Sequence, residues 1–279
     1  MLYVPGHSWN FTLSNVSGTR PASAWGATIT PGTGGTKGSW AQIFTGAQVS
    51  TELFGILINI NNNSTAATTR NALVDIGIDP AGGTSYSVVI PDLIGGHAAP
   101  MTIGGIYYYF PLYIPAGSSV AVRAVGTVAT TFNVALTVFG KPRRPDGVLA
   151  GTKVSAFGAT LASATGTTVT AGTTAEGAWA QLGSTTTHPI WWWQCGMTAV
   201  DTTMTANIHT MDVATGDATN KDIVLQDALA IFTASEQNTM LPALIPGYDR
   251  TPSGVLVYGR VQCSGTADSA LSMMAYGLG

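Results

Sequence analysis

Gly38-Ser39-Trp40-Ala41-Gln42-Ile43 returns later in the chain as Gly177-Ala178-Trp179-Ala180-Gln181-Leu182. Upstream of it, Gly26-Ala27-Thr28-Ile29 is matched with Gly158-Ala159-Thr160-Leu161. Downstream, Pro111-Leu112-Tyr113-Ile114-Pro115-Ala116 is echoed by Pro242-Ala243-Leu244-Ile245-Pro246-Gly247. Arg123 matches Arg260 and Phe139-Gly140 matches Tyr276-Gly277, each pair 137 positions apart. The blocks keep one order in both halves. A chain rich in Gly and Thr inflates chance similarity, but the Trp and double-Pro blocks are free of that bias, so an internal duplication decides the architecture.

The duplication divides the 279 residues into an N-terminal arm (1–23), a first domain (24–140), a linker (141–152) and a second domain (153–279). Each domain is long enough to bury its own core. The linker opens with Lys141-Pro142-Arg143-Arg144-Pro145-Asp146-Gly147, where two prolines forbid a helix or a central strand. Arg143 and Arg144 there are candidates for contact with an acidic neighbour. The arm has no counterpart ahead of the second copy. Its alternation of Trp9, Phe11 and Leu13 with Asn10 and Thr12 suits an extended segment, either docked on a neighbouring protein or added as an edge strand.

Hydrophobic periodicity is two wherever it can be read, which indicates strands. Phe54, Ile56, Ile58 and Ile60 share one face. Val74, Ile76 and Ile78 alternate with Asp75, Gly77 and Asp79. Val120, Val122 and Ala124, and then Val134, Leu136 and Val138, form further inward sets. Val257, Gly259 and Val261, with Leu271, Met273 and Ala275, repeat the phase in the second copy. Turn-forming clusters such as Asp79-Pro80-Ala81-Gly82-Gly83 separate the strands. Val224 to Thr233 is the best helix candidate. The expectation is an all-β protein of two tandem jelly-roll-like or β-sandwich domains.

Charged residues make up only 9% of the chain, against about 25% in a typical soluble protein. Net charge is −3, and Lys and Arg total 11, so no basic patch favours nucleic acid. No apolar run is long enough to span a bilayer, and the first residues lack the pattern of a signal peptide. Synthesis and retention in the cytosol until assembly is the expectation. Cys195 and Cys263 are too few for a disulfide framework and are read as buried thiols, with one bridge between them as the alternative.

Catalytic and metal-binding patterns are scarce. His7, His97, His188 and His209 show no metal-ligand spacing. Asp75 and Asp79 share a strand face and could flank a glycosidic bond or hold calcium, but a polar outer face is the favoured reading. In the second copy an acid is matched only at Asp212, with Asn207 opposite Asp75 and His209 opposite Gly77. Gly32-Thr33-Gly34-Gly35-Thr36-Lys37 lacks the spacing of a phosphate loop and is read as a flexible loop. No enzyme activity, catalytic residue, cofactor or metal is expected.

The aromatic runs are the candidate interface. Trp191, Trp192 and Trp193, and likewise Tyr107, Tyr108 and Tyr109 ahead of Phe110, place large rings on both faces of a strand. One core cannot take both sets. A neighbouring domain, a second subunit or a sugar ring must cover the rest.

Ile114-Pro115-Ala116-Gly117-Ser118-Ser119-Val120-Ala121-Val122-Arg123-Ala124 resembles a segment of structural proteins from tailed bacteriophages, in which an Ile-Pro-Ala-Gly turn leads into a strand ending in Arg. The second copy departs from it, with Gly247 for Ala116 and an insertion through Thr251-Pro252-Ser253. The resemblance implies a virion component of the capsid-decoration, head-fibre or tail-fibre type. Scarce surface charge and aromatics on both faces of two strands point to a homo-oligomer, and the resemblance makes a trimer the leading state, bound to other capsid or tail proteins. The alternative is a carbohydrate-binding adhesion module that meets a host surface glycan.

Overall fold

The computed structural model describes residues 11–13, 26–62, 70–95, 106–140, 150–199, 207–233, 236–237, 251–265 and 271–279. Among the described residues every regular element is a strand. The first half carries β1 (Phe11–Leu13), β2 (Ala27–Ile29), β3 (Ala41–Phe44), β4 (Leu53–Asn61), β5 (Ala72–Asp79), β6 (Ser87–Ile94), β7 (Ile106–Phe110), β8 (Ser119–Gly126) and β9 (Phe132–Gly140). The second carries β10 (Val154–Phe157), β11 (Thr167–Val169), β12 (Ala180–Gln181), β13 (Trp192–Ala199), β14 (Asn207–Gly216), β15 (Lys221–Thr233), β16 (Glu236–Gln237), β17 (Leu256–Cys263) and β18 (Leu271–Leu278).

Each half is a sandwich of two antiparallel sheets. In the first half, β1 and β2 both pair with β9, which continues into β4 and β7, while the facing sheet runs β3-β8-β5-β6. The second half repeats the plan. β10, β11 and β13 pair with β18, and the facing sheet runs β12-β17-β14-β15-β16. The register repeats as well, since Asp75 lies opposite Arg123 and Asp212 opposite Arg260.

The inward sets read from the sequence are buried. Ile56, Ile58, Ile60, Val74, Ile76, Val120, Val122, Val134 and Leu136 lie in one core, and Val257, Val261, Leu271, Met273 and Ala275 in a second. Phe54 does not join its expected set. A register shift between Leu53 and Gly55 puts Leu53 inward instead, and Phe54 packs half-buried against Tyr113, with ring centroids 5.5 Å apart.

Three further expectations are corrected. Val224 to Thr233 is not a helix but most of β15, paired along β14. A bulge at Gln226-Asp227 brings Leu225 and Ala228 to the same buried side, three residues apart, and that spacing imitates a helical face. The strand equivalent to β2 is β11, whereas Gly158 to Leu161 lead into a turn in which Thr160 bridges Thr165. The arm expected over residues 1–23 includes β1, whose backbone pairs with Phe139, Val138 and Thr137. Its counterpart in the second copy is β10, paired with the same end of β18.

The sandwiches pack directly on each other. Strand β18 is buried along its whole length. Leu271, Met273 and Ala275 enter the second core, while Met274, Tyr276 and Leu278 enter the cluster that holds the first. Gly151 joins the halves from the linker side: its N–H donates to Pro111 O (2.9 Å) and its carbonyl accepts from Tyr113 N–H (2.8 Å).

Candidate functional site

Two places gather the residues with chemical character: the seam between the sandwiches and a charged site that the duplication has made twice. At the seam, Tyr108 and Tyr276 meet edge to face, with ring centroids 5.5 Å apart. The Tyr108 hydroxyl donates to Ile94 O (2.8 Å), and the Ile94 N–H donates to the Tyr276 hydroxyl (2.9 Å). Strand β6 is a sheet edge, and these two phenols satisfy its outward backbone in place of another strand. Burial pushes the ionisation of both phenols up, that of Tyr276 far above its ordinary range, so both stay protonated.

The aromatic runs are therefore divided by this seam. Trp193 lies in the second core, where its indole N–H donates to Thr251 Oγ1 (3.1 Å). Trp191 and Trp192 are half-buried against the first cluster, and Trp192 meets Tyr109 at 6.2 Å. Tyr108 is buried, Tyr109 is half-buried and Tyr107 is 40% exposed. Arg143 and Arg144 lie outside the described residues. Cys195 and Cys263 are buried and are not joined in a disulfide.

The charged site begins at a bulge. Where β5 meets β6, Val74 faces Leu93 and Ile76 faces Ile90, so Pro91 and Asp92 stand opposite Asp75. Asp92 takes φ 54°, a left-handed conformation that Asp tolerates better than most residues. Its N–H donates to Asp75 Oδ1 (3.0 Å). Asp75 Oδ2 accepts from Arg123 Nε (3.0 Å), and Arg123 stacks on Trp40 at 4.4 Å. The Lys37 ammonium completes the site with Asp75 Oδ1 at 2.7 Å, Asp92 Oδ1 at 2.6 Å and Leu73 O at 3.1 Å. Two acids and two bases balance a carboxylate whose side chain is only 4% exposed.

The second copy rebuilds the same bulge. Met211 faces Ala228 and Val213 faces Leu225, which leaves Gln226 and Asp227 opposite Asp212. Asp227 has φ 51°, and its N–H donates to Asp212 Oδ1 (2.8 Å). Arg260 donates to Asp212 Oδ2 through Nε (2.8 Å) and Nη2 (2.6 Å) and stacks on Trp179 at 4.3 Å. The loops in front of the two tryptophans are pinned alike. Gly32 and Gly38 N–H groups both donate to Ala124 O, and Gly172 and Gly177 N–H groups both donate to Val261 O. The residue before the second glycine is Lys37 in one copy and Glu176 in the other.

Glu176, Asp212 and Asp227 thus bring carboxylate oxygens within 4.8 Å of one another. Three acids face one base. Glu176 Oε2 is shielded from solvent, has no hydrogen-bond partner and lies 3.7 Å from Arg260 Nε. Burial raises the Glu176 carboxyl above its ordinary range, with Asp212 and Asp227 adding to the rise and Arg260 opposing it.

The sequence reading missed this site through its alignment. Asp75 corresponds to Asp212, not Asn207, and Gly77 to Ala214, not His209, which is buried at the position of Ala72. The 137-residue spacing already visible at Arg123 and Arg260 would have found the acid. Asp79 instead caps its own turn, accepting from Ala81 N–H (3.0 Å) and Ser85 N–H (2.9 Å).

No family model matches the chain, and no curated protein matches it. Among solved structures it is similar to the crystal structure of the STIV MCP, at 8% identity and a TM-score of 0.38, over 97% of this chain and 96% of that one. It is similar to PNGF-II at 9% identity and a TM-score of 0.40, over 96% of this chain and 65% of that one. The CBM22-1-CBM22-2 tandem domain of Xyn10C from Paenibacillus barcinonensis aligns at 10% identity and a TM-score of 0.28, over 97% and 91%. At such low scores none of these likenesses carries a functional argument, which rests on the chain's own geometry.

Proposed function

We propose that this chain is a structural subunit of a virus particle, working without a catalytic centre as an exterior accessory protein of the tailed-phage type. Capsid decoration and a place in the tail or a fibre are the two positions considered. The observation that carries this reading is strand β18, buried on one face by its own sandwich and on the other by its neighbour. Two domains that share a core in this way form a block, not a pair of tethered modules. A block with 9% charged residues loses little desolvation energy when packed among copies or partners. The tailed-phage assignment and the trimeric state come from the Ile114-to-Ala124 resemblance.

Mass spectrometry of density-banded particles of the virus that encodes the chain tests the reading. The expected result is this chain at a fixed copy number, and that number separates shell from tail. Its absence from banded particles overturns the proposal. The enzyme question has its own assay: the purified protein should leave host polysaccharide uncleaved. Cleavage that disappears in Asp75→Asn would show a hydrolase.

Carbohydrate binding is kept as a second reading because half-buried Trp191 borders a shallow cleft with Thr152, Lys153, His188 and Pro189. A half-buried indole beside polar groups is a place where a sugar ring can stack. A glycan array probed with the native chain and with Trp191→Ala decides it, and signal lost in the variant supports adhesion.

A further inference from the structure

The seam between the sandwiches has two sides, and the duplication makes each of them twice. One side is the edge of the first domain, where β6 lies against β10 and β13 of the second. There Pro91 and Asp92 are half-buried and Ile94 is buried, its backbone held by the Tyr108 and Tyr276 hydroxyls. The other side is the outward face of the β13–β18 sheet, where Gly196, Thr198, Ser272, Met274 and Tyr276 are all buried. Each side has a counterpart that the single chain leaves more open. Register places Gln226, Asp227 and Leu229 of β15 at the positions of Pro91, Asp92 and Ile94, and all three are exposed. The ladder from β15 to β16 reaches only Phe232 and Thr233. On β4 and β9, Leu57, Asn59, Ala135, Thr137 and Phe139 stand at the positions of Gly196, Thr198, Ser272, Met274 and Tyr276, and all five are half-buried.

We propose that these two counterparts meet between copies. The β15 edge of one chain packs on the β4–β9 face of the next, repeating between chains the seam that each chain already contains. The occupant of either surface is thus a second copy, an assignment that deepens the structural-subunit reading and rests on it. The counterpart face is fitted to the counterpart edge. Leu57 and Phe139 replace Gly196 and Tyr276, so the face is more apolar, and Leu229 brings it a bare aliphatic side chain that is 54% exposed. Burying that side chain against Leu57 and Phe139 removes apolar area from water. The two patches are different, so the contact is heterologous, and chains joined this way run head to tail until the ring closes. Every chain then gives one edge and receives one.

The test uses the full chain and two variants, Leu229→Lys on the edge and Thr137→Lys on the face, both outside the two cores. Every contact needs one edge and one face. Each variant alone should therefore scatter light as a monomer, at a concentration where the native chain is assembled, and melt like the native chain. Mixed in equal amounts, the two still offer one native edge and one native face, so a 1:1 dimer should appear. Asn59→Lys serves as the face variant if Thr137→Lys melts early. A folded face variant that keeps the native mass overturns the proposal, because a contact between two β15 edges would behave that way. So does a mixture that stays monomeric, and so does a native chain that is itself a monomer. None of these results touches the virion reading, which is scored on banded particles.

Discussion

At the residue scale, stability is concentrated in a few polar atoms that have no alternative partner. The Tyr276 hydroxyl accepts from Ile94 N–H at 2.9 Å inside the seam. Tyr276→Phe keeps the ring and strands that buried N–H, at a cost of about 1–3 kcal/mol in urea unfolding. Gly77 is similarly constrained: a Cβ there would come within 2.6 Å of the Trp40 ring. Gly77→Ala should lower stability by about 1–3 kcal/mol through overpacking and disturb the stack of Arg123 on Trp40. Glu176 gives a pH dependence of defined sign. Its carboxyl is raised in the folded state, so the fold binds that proton more tightly than the open chain does. The contribution is fully present below the ordinary carboxylate value and is lost as pH rises through the folded value. Melting temperature should therefore fall across that window, and Glu176→Gln should flatten the fall relative to the native chain. These residues were poorly legible in advance. Asp75 and Arg123 are far apart in sequence, and only the paired register of β5 and β8 shows that they meet.

At the scale of elements, strand identity was legible where alternation was unbroken and lost where a bulge interrupted it. β9 buries every second residue and reads directly as a strand. β15 carries its bulge mid-strand, and the Leu225 to Ala228 spacing then mimics one turn of helix. Both bulges sit opposite the buried aspartates, so the feature that spoiled the periodicity is the one that builds the charged site. β1 raises a different point. It covers the edge of β9 at Thr137, Val138 and Phe139, beside β2 at Phe132, Asn133 and Val134. Deleting residues 1–20 should leave both domains folded but expose those three ladder positions. A lower Tm and self-association through the bare edge are the expected results in melting and light scattering. A truncated chain that melts and sediments like the native one would show that β1 adds nothing to the fold.

At the scale of the whole molecule, the duplication and the aromatic runs made two domains legible, but not what the rings cover. Tyr108, Trp192 and Tyr276 close one sandwich on the other, so rings that suggested a contact between subunits are largely spent within the chain. Among the described residues, the most exposed large apolar side chains lie elsewhere. Ile208 and Leu229 are 50% and 54% exposed. They stand on the same face of β14 and β15, because Leu229 pairs with Thr210, two residues beyond Ile208. Asp212, two residues further along β14, shares that face with its stacked Arg260 and Trp179. An outward sheet face with bare aliphatic side chains beside a charged site is suited to contact with another copy, and a stable contact needs roughly 800 Å² per partner. The proposed homo-oligomer should therefore pack through it, with a trimer as the expected mass in light scattering at micromolar concentration. Ile208→Lys combined with Leu229→Lys places two charges in that contact without touching either core. The variant should run as a monomer with the native melting profile. Should the native chain itself scatter as a monomer, this face has no partner copy, and any oligomer must take its symmetry from the particle on which it assembles.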